Sequence, residues 1–160
     1  MAKEEILIKG DVYWCNNYER NAKSRKYQID LCNLSADAVQ ALARIGIEAK
    51  RDDAKKPAQG FYITCKSAGY VINTYDKTGK ELGEWVKIDK GTEVKRDEQG
   101  KALYTRVSNG SKALATISPY ETTVNGQRYT QGSIKKIVIT DLIEYNPQGM
   151  DVSKMEEEAL

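Results

Sequence analysis

Histidine is absent from the chain of 160 residues, and this absence narrows the chemistry that the protein can perform. Ser-His-Asp and Cys-His catalysis, His-ligated metals and imidazole proton shuttles all need that side chain. The sequence also lacks GxxxxGK[ST] and GxGxxG runs, which would cradle a nucleotide phosphate. Carboxylate chemistry stays open, but the acidic residues are scattered among lysines in predicted turns and show no suggestive pairing. An enzyme is therefore the minority interpretation, and we expect no catalytic residue and no cofactor.

Cysteine is scarce, and its spacing is uninformative. The three cysteines, Cys15, Cys32 and Cys65, are odd in number and form no CxxC pair. This pattern favours reduced thiols in a cytosolic setting over a disulfide framework. Structural zinc sites want four ligands with at least one close pair, so three isolated cysteines make a poor site. We expect no bound metal.

Long apolar runs are missing as well. No segment approaches the roughly 20 apolar residues that a membrane helix needs, so we expect no membrane partner. The first residues, Met1 to Glu5, are acidic where a secretion signal would be basic and then apolar. These features predict a cytoplasmic protein, and the length predicts one folded domain with a sizeable core.

Phenylalanine occurs once, whereas the chain has ten tyrosines and two tryptophans. Tyr and Trp tolerate a wet face because each ring carries a polar atom. The net charge of +2 is also unevenly spread, because residues 146–160 hold four acids against one lysine. That segment carries −3, so residues 1–145 carry +5. A basic body followed by an acidic end needs an explanation.

The first part of the chain, up to Lys66, is predicted to hold three strands and one helix. In the strand Glu5–Trp14, alternation places Val12 and Trp14 together on the core side. Tyr27–Asn33 alternates cleanly as a half-buried strand. Ser35 or Asp37 can cap a helix that ends at Gly46. In Phe61–Lys66, the first, third and fifth residues are expected to face the core.

The second half reads almost entirely as strands, with Tyr70–Tyr75 and Glu84–Ile88 first. Two Asn-Gly pairs are typical of tight hairpins. Asn109-Gly110 is expected to join Ala102–Val107 to Lys112–Ile117, and Asn125-Gly126 is expected to join Tyr120–Val124 to Gln127–Tyr129. Ile134–Tyr145 is the last strand. The prediction is a mainly β fold: a small, partly open antiparallel barrel of five strands with one inserted helix over residues 1–145, then a flexible acidic tail over residues 146–160.

Cations and aromatic rings meet on the predicted solvent side of the strands. Unpaired bases offer flat faces on which a ring can stack, and phosphates need dispersed cations. Neither requirement involves histidine, metal or a catalytic geometry. The candidate contacts to nucleic acid are, first, Arg20, Lys23, Arg25, Lys26, Tyr62, Lys66 and Lys112, and then Tyr75, Lys77, Trp85 and Lys87.

Two further interpretations stay open at this point. Half or more of the tyrosines can belong to the core, and lysines between strands often only protect edges or aid solubility. A β-rich structural or adaptor protein, for example one of a virion, would use the same tyrosines for protein contacts. An enzyme dependent on carboxylates is the third hypothesis.

The acidic segment also allows two interpretations. Ser153 and Glu156 can form the capping box of a short frayed helix without further function. Alternatively, Glu156, Glu157, Glu158 and Leu160 belong to a flexible anionic arm. Such an arm would cover the basic groove of the protein until DNA displaces it, and would then bind a partner.

Two stretches resemble the phage-type single-stranded DNA-binding proteins. The first is Val107-Ser-Asn-Gly-Ser-Lys-Ala-Leu-Ala-Thr-Ile-Ser-Pro-Tyr120, in which an NGS turn leads into a strand of small residues. The second is Ile134–Tyr145, which ends Thr-Asp-Leu-Ile-Glu-Tyr. The early order of a Tyr/Trp strand, a basic loop, Tyr27–Leu34 and a helix that ends at Gly46 is similar too. The resemblance covers most of residues 6–145.

The resemblance implies an OB-fold that coats single strands during phage DNA replication and recombination, in the host cytoplasm. It also implies an acidic tail that recruits replication proteins, such as a polymerase or a helicase, and competes with DNA. The tail departs from the family pattern because it ends Ala159-Leu160 instead of in an aromatic residue. Family members often dimerise, and this sequence neither supports nor opposes a homodimer.

Overall fold

The computed structural model describes residues 5–143, and they form a mainly β structure. In this range one α-helix stands among eight strands, and a short 3-10 turn, Pro57–Gln59, follows it. The elements in chain order are β1 (Ile6–Asn16), β2 (Tyr27–Cys32), α1 (Ala36–Arg44), β3 (Ile63–Ser67), β4 (Thr74–Asp76), β5 (Trp85–Ile88), β6 (Gly91–Val94), β7 (Ser111–Val124) and β8 (Gln127–Asp141).

Six strands form the main sheet, in the order β3-β2-β1-β7-β8-β4, and β5 and β6 form a separate hairpin. Neighbours in the main sheet are antiparallel, except that β4 runs parallel to β8. The predicted mainly β class with a single helix between early strands is confirmed. The expectation of an antiparallel barrel needs correction, because the sheet is mixed and is not closed into a barrel.

The sheet curls so that β8 lies against β3. The two strands are not paired through backbone hydrogen bonds, so the contact is made by side chains. Gly132 of β8 lies at this contact. A Cβ at this position would lie 3.0 Å from Cγ2 of Ile117 and 3.4 Å from Sγ of Cys65. A side chain at this position would lie too close to Ile117 of the paired strand β7, whereas its distance to Cys65 of β3 is that of an ordinary van der Waals contact. The glycine therefore fits the crowded inner side of β8.

Inside the curl lies a continuous apolar core. Val12, Ile29, Leu31, Ile117 and Ile139 are buried there. Burial of each such side chain contributes about 1.5–3 kcal/mol to folding. Helix α1 closes one side of the core through Ala38 and Leu42. Packing of these side chains therefore holds the main sheet in its curved shape, and the outer face of the sheet follows the same curve.

Two local predictions are confirmed. The side chain of Ser35 caps α1 by accepting a hydrogen bond of 3.1 Å from the backbone N–H of Ala38. Asn125 and Gly126, at φ 51° and 79°, form the tight turn between β7 and β8.

The hairpin predicted at Asn109-Gly110 is wrong. Residues 102–107 make only isolated bridges, at Ala102, Tyr104 and Val107, and form no strand with β7. The Asn-Gly pair instead holds β1, because Gly110 N–H donates to the carbonyl of Val12 over 2.9 Å.

The only α-helix in residues 5–143, α1, is too short to span a membrane.

Candidate nucleic-acid interface

An open groove of about 980 Å³ lies between the outer face of β2 and β3 and the first half of β8. It is lined by aromatic, cationic and small polar side chains. The outer face supplies Gln28, Asp30, Tyr62, Thr64 and Lys66, and β8 supplies Arg128 to Gly132. Trp14, Asn16, Asn21, Gly46, Ile47, Glu48, Lys50, Lys56 and Ile63 complete the lining. We call this surface the groove.

Trp14 is placed in the groove by a break in the alternation of β1. The register of β1 against β2 shifts between Tyr13 and Asn16, and Trp14 has φ 52°. A bulge of this kind re-aims a side chain. The ring is consequently 55% exposed, so the expected core position of Trp14 is wrong. The backbone N–H of Trp14 donates to Oδ1 of Asn109 over 2.8 Å, which secures the bulge.

A chain of hydrogen bonds orients the indole. Nε1 of Trp14 donates to Oε1 of Gln59 at 3.0 Å, and Nε2 of Gln59 donates to Oδ2 of Asp30 at 3.0 Å. The hydroxyl of Thr64 donates to the other oxygen of Asp30 at 2.7 Å. Asp30 is only 3% exposed, so its carboxylate depends on these donors. The chain therefore anchors an exposed ring to a buried acceptor.

Positive charge dominates the groove. Its lining includes Lys50, Lys56, Lys66 and Arg128, against the two acids Glu48 and Asp30. The carboxylate of Asp30 is turned inward and accepts hydrogen bonds. The side chain of Arg128 lies 3.9 Å from Glu121, but both groups are largely exposed, so this ion pair is weak. The groove thus presents several cations that solvent reaches.

The long hairpin of β7 and β8 forms one wall. In the part of the chain that the structure describes, the residues from Ser118 to Ser133 pair only with each other. They extend beyond the sheet as a two-stranded ribbon. Tyr129 lies on this ribbon and is 46% exposed, and its hydroxyl donates to Oε1 of Gln127 over 2.6 Å.

Of the predicted contact residues, Tyr62 and Lys66 are brought together in the groove. Tyr62 is largely buried, and Nζ of Lys56 lies 4.8 Å from the centre of its ring. Protein atoms, Lys56 among them, therefore cover most of this ring. Lys66 is exposed opposite Gln28 of the neighbouring strand.

The predicted basic loop lies at one end of the groove. Its Asn21 lines the groove, and Oδ1 of Asn21 accepts hydrogen bonds from the backbone of Lys23 and Ser24. Lys23, Arg25 and Lys26 are exposed on this turn. Arg20 instead points to a separate pocket, where its guanidinium lies 4.8 Å from the centre of the Tyr27 ring.

The other predicted residues are spread over different surfaces. Tyr75 and Lys77 line a second pocket of about 600 Å³ beside β4. Trp85 and Lys87 lie on β5, outside the groove. Lys112, on β7, faces Asp11 with Nζ 3.6 Å from a carboxylate oxygen. The tail residues Glu156, Glu157, Glu158 and Leu160 lie outside the described residues.

Five aromatic or cationic residues of the groove are not among the predicted contacts: Trp14, Lys50, Lys56, Arg128 and Tyr129. Only the last two had a local signal, since an arginine beside a tyrosine follows the Asn-Gly turn. The others depend on the bulge in β1 and on the loop that carries Gln59 across the outer face. Neither feature has a periodic signature.

Metal binding and thiol chemistry can be examined for the described part of the chain. Among residues 5–143, no three His, Cys, Asp or Glu side chains lie together in a way that could hold a metal ion. Burial raises the pKa of Cys32 and of Cys65 to about 12, so both thiols are neutral at physiological pH.

No family model matches this chain, and no curated protein matches it by sequence. Solved structures do match. The single-stranded DNA-binding protein from bacteriophage Enc34 aligns with a TM-score of 0.53 and 13% identity, over 98% of this chain and 96% of that protein. The same phage protein in complex with ssDNA aligns with a TM-score of 0.52 and 12% identity, over 91% of this chain and 96% of its own. The chain shares the fold of these phage proteins, which confirms at the level of the fold the resemblance seen in the sequence.

Proposed function

We propose that this protein binds single-stranded DNA without strong sequence preference, through the groove. The observation that carries the proposal is the fixed and exposed indole of Trp14, which lies in the same groove as Lys50, Lys56, Lys66 and Arg128. A ring of this kind accepts any base on its face, and the cations around it neutralise the phosphates on either side.

The shared fold supports the proposal. The phage protein with which this chain aligns over most of both lengths has been solved with ssDNA. The shape of the groove agrees with such a ligand, because it is open and long and has rings on both walls, Trp14 on one and Tyr129 on the other. Contacts to ring faces and phosphates are common to all four nucleotides, so the binding tolerates any sequence.

In the cell, such a protein would coat and protect single strands during phage DNA replication and recombination. This role needs no catalytic group, only tight and reversible contacts along the strand. Binding should therefore depend strongly on salt, since each neutralised phosphate releases counterions.

Titration with oligo-dT tests the proposal. We expect fluorescence anisotropy of labelled oligo-dT to rise on binding, and log K to fall linearly with log[salt]. The chain has two tryptophans, so Trp14→Phe and Trp85→Phe separate their signals. DNA should quench the fluorescence that Trp14 contributes, and Trp14→Phe should abolish most of the change. A structural or adaptor protein would show no binding at any salt concentration, and that result would overturn the proposal.

The acidic segment 146–160 has a role in the same proposal. Its net charge of −3 against the +5 of residues 1–145 makes it a competitor for the groove and, once displaced, an arm that binds replication proteins. Deletion of Met155–Leu160 is expected to tighten the binding of oligo-dT at low salt and to change it little at high salt. Equal affinities at low salt would contradict the competition.

A further inference from the structure

We propose that the DNA path continues beyond the groove, along β8, over a second segment formed by Tyr70, Tyr75, Lys77, Lys135 and Lys136. We call this surface the extension. The inference rests on the proposed function, because it concerns the same ligand and lengthens its contact. It assigns a binding role to Tyr70, Lys135 and Lys136, none of which is among the candidate contacts named in the sequence analysis.

The groove and the extension are continuous through shared residues. Lys66 lines the groove and also a pocket of about 290 Å³, to which Tyr70, Ser133 and Lys135 belong. Lys135 in turn lines this pocket and the larger one that holds Tyr75, Lys77 and Lys136. Three adjoining depressions therefore follow β8 from Arg128 to Val138.

A β-bulge creates the basic centre of the extension. In the pairing of β7 with β8, Thr116 is opposite Lys136 and Ile117 is opposite Ile134, so Lys135 is the extra residue. Without a bulge, two successive residues point to opposite faces of the sheet. Here Lys135 and Lys136 are both exposed, whereas Ile137 is buried. The bulge thus brings both lysines to the lining of the larger depression, and Lys135 also lines the smaller one.

Tyr70 is an exposed ring on a well-anchored loop. The residue is 61% exposed and lies in the connection between β3 and β4. The hydroxyl of Ser67 donates to the carbonyl of Tyr70 at 2.7 Å, and the N–H of Val71 donates to Oγ1 of Thr92 at 2.9 Å. The N–H of Thr92 donates to the carbonyl of Gly69 at 2.9 Å. A tyrosine with its backbone held on both sides and its ring in solvent is suited to stack a base.

The charge of the extension suits a polyanion. Its two depressions contain Lys66, Lys77, Lys135 and Lys136, with Asp76 as the acid among their lining residues. One carboxylate oxygen of Asp76 is bound within its own turn, by the hydroxyl and N–H of Thr78 and the N–H of Lys80. Nζ of Lys136 lies 5.9 Å from the centre of the Tyr75 ring, close enough to move between the ring and a phosphate.

The length of the bound oligonucleotide determines whether it contacts the extension as well as the groove. From residue 128 to residue 138, β8 spans roughly 33 Å at about 3.3 Å per residue. An OB-type domain covers about 4–16 nucleotides. An oligonucleotide of about five nucleotides occupies the groove alone, whereas one of about fifteen can follow the whole path.

The experiment compares oligo-dT of these two lengths with the full chain and with the double variant Tyr70→Ala/Lys135→Ala. We expect the affinity for the long oligonucleotide to fall at least about fivefold, the value for one lost base stack, and its salt slope to become shallower by about 0.7. Affinity for the short oligonucleotide should stay within twofold of the unsubstituted protein. Lys101→Ala, at an exposed turn of the chain, is the control and should change neither affinity.

Equal losses for both lengths, or no loss for either, would overturn the extension while the proposed function stands. If the unsubstituted protein binds neither oligonucleotide, the proposed function itself fails. Should the double variant not fold, Lys135→Gln and the unsubstituted protein suffice. The salt slope of the unsubstituted protein must then be steeper for the long oligonucleotide, and Lys135→Gln must reduce that difference. Identical slopes for the two lengths would contradict the extension.

Discussion

Replacement of Trp14 by alanine tests the central contact of the groove. The ring is 55% exposed and lies on a bulge outside the apolar core. The change therefore avoids the cost of about 3–5 kcal/mol that truncation of a buried Trp brings. Loss of one base stack costs about 1–3 kcal/mol, so Kd should rise roughly 5- to 150-fold.

The assay is anisotropy of labelled oligo-dT over a series of salt concentrations. Trp14 carries no charge, so Trp14→Ala should shift the line of log K against log[salt] downward and leave its slope unchanged. Urea unfolding of the same samples shows whether the variant is folded. A loss of affinity with a normal slope and a cooperative transition identifies a lost stacking contact.

Trp85→Ala is the matched control, because Trp85 is also partly exposed, at 36%, but lies on β5 outside the groove. We expect its Kd to stay within about twofold of the unsubstituted protein, which is the scale of an ordinary surface substitution. The reasoning is refuted if Trp14→Ala binds like the unsubstituted protein. It is equally refuted if Trp85→Ala has the larger effect, since the stacking surface would then lie on the separate hairpin.

Three further outcomes are expected. Lys66→Ala should make the salt slope of oligo-dT binding shallower by about 0.7, because one phosphate contact is lost; an unchanged slope would remove Lys66 from the path. Gln59→Ala leaves a buried oxygen of Asp30 without its donor, so the free energy of unfolding in urea should fall by about 1–3 kcal/mol. Binding of oligo-dT should weaken as well, because the indole of Trp14 loses its partner. An unchanged free energy of unfolding would refute the hydrogen-bond chain. Burial raises the pKa of Cys65 from 9.0 to about 12 on folding. The thiol therefore loses its proton at a lower pH in the unfolded chain than in the folded one. The free energy of unfolding is unaffected by this group below pH 9 and falls as the pH rises from 9 toward 12. Urea midpoints at about pH 8 and 11 under reducing conditions should show this loss, and Cys65→Ala should reduce it.

The fold was predictable where one local rule controls the backbone. The helix needed only the capping group of Ser35 and the apolar spacing before Gly46, and the turn of the long hairpin needed only Asn125 and Gly126. The edges of the sheet were not predictable. The parallel pairing of β4 with β8 joins segments that are more than 60 residues apart. Neither segment has a sequence pattern that indicates this pairing.

The second Asn-Gly pair shows why a turn motif is not enough. Asn109-Gly110 has the same local preference as the pair at the end of the long hairpin. Its amide and carbonyl groups are taken up by β1, because Gly110 N–H reaches Val12 and the side chain of Asn109 reaches Trp14. Tertiary hydrogen bonds thereby override the expected hairpin.

The groove was half predictable for a similar reason. Strict alternation in β3 correctly placed Thr64 and Lys66 on the outer face. The same rule failed for Trp14, since alternation assumes that no residue is inserted. One bulge moved the ring from the expected core position to the groove.

The tyrosines and Trp14 contribute differently to the proposed surface, because cations already lie over several tyrosine rings. Lys56 covers Tyr62 at 4.8 Å, and Lys136 lies 5.9 Å from Tyr75. A base that stacks there must displace an ammonium group, which costs about 0.5–1 kcal/mol at an exposed site. The displaced ammonium group can then pair with a phosphate. In this exchange the lysine gives up its contact with the tyrosine ring and gains an ion pair with the DNA. Trp14 is held at its edge by the bond from Nε1 to Gln59, an arrangement that fixes the ring without occupying its face. The dominant stacking energy is therefore expected at Trp14, and the capped tyrosines chiefly place their cations along the strand.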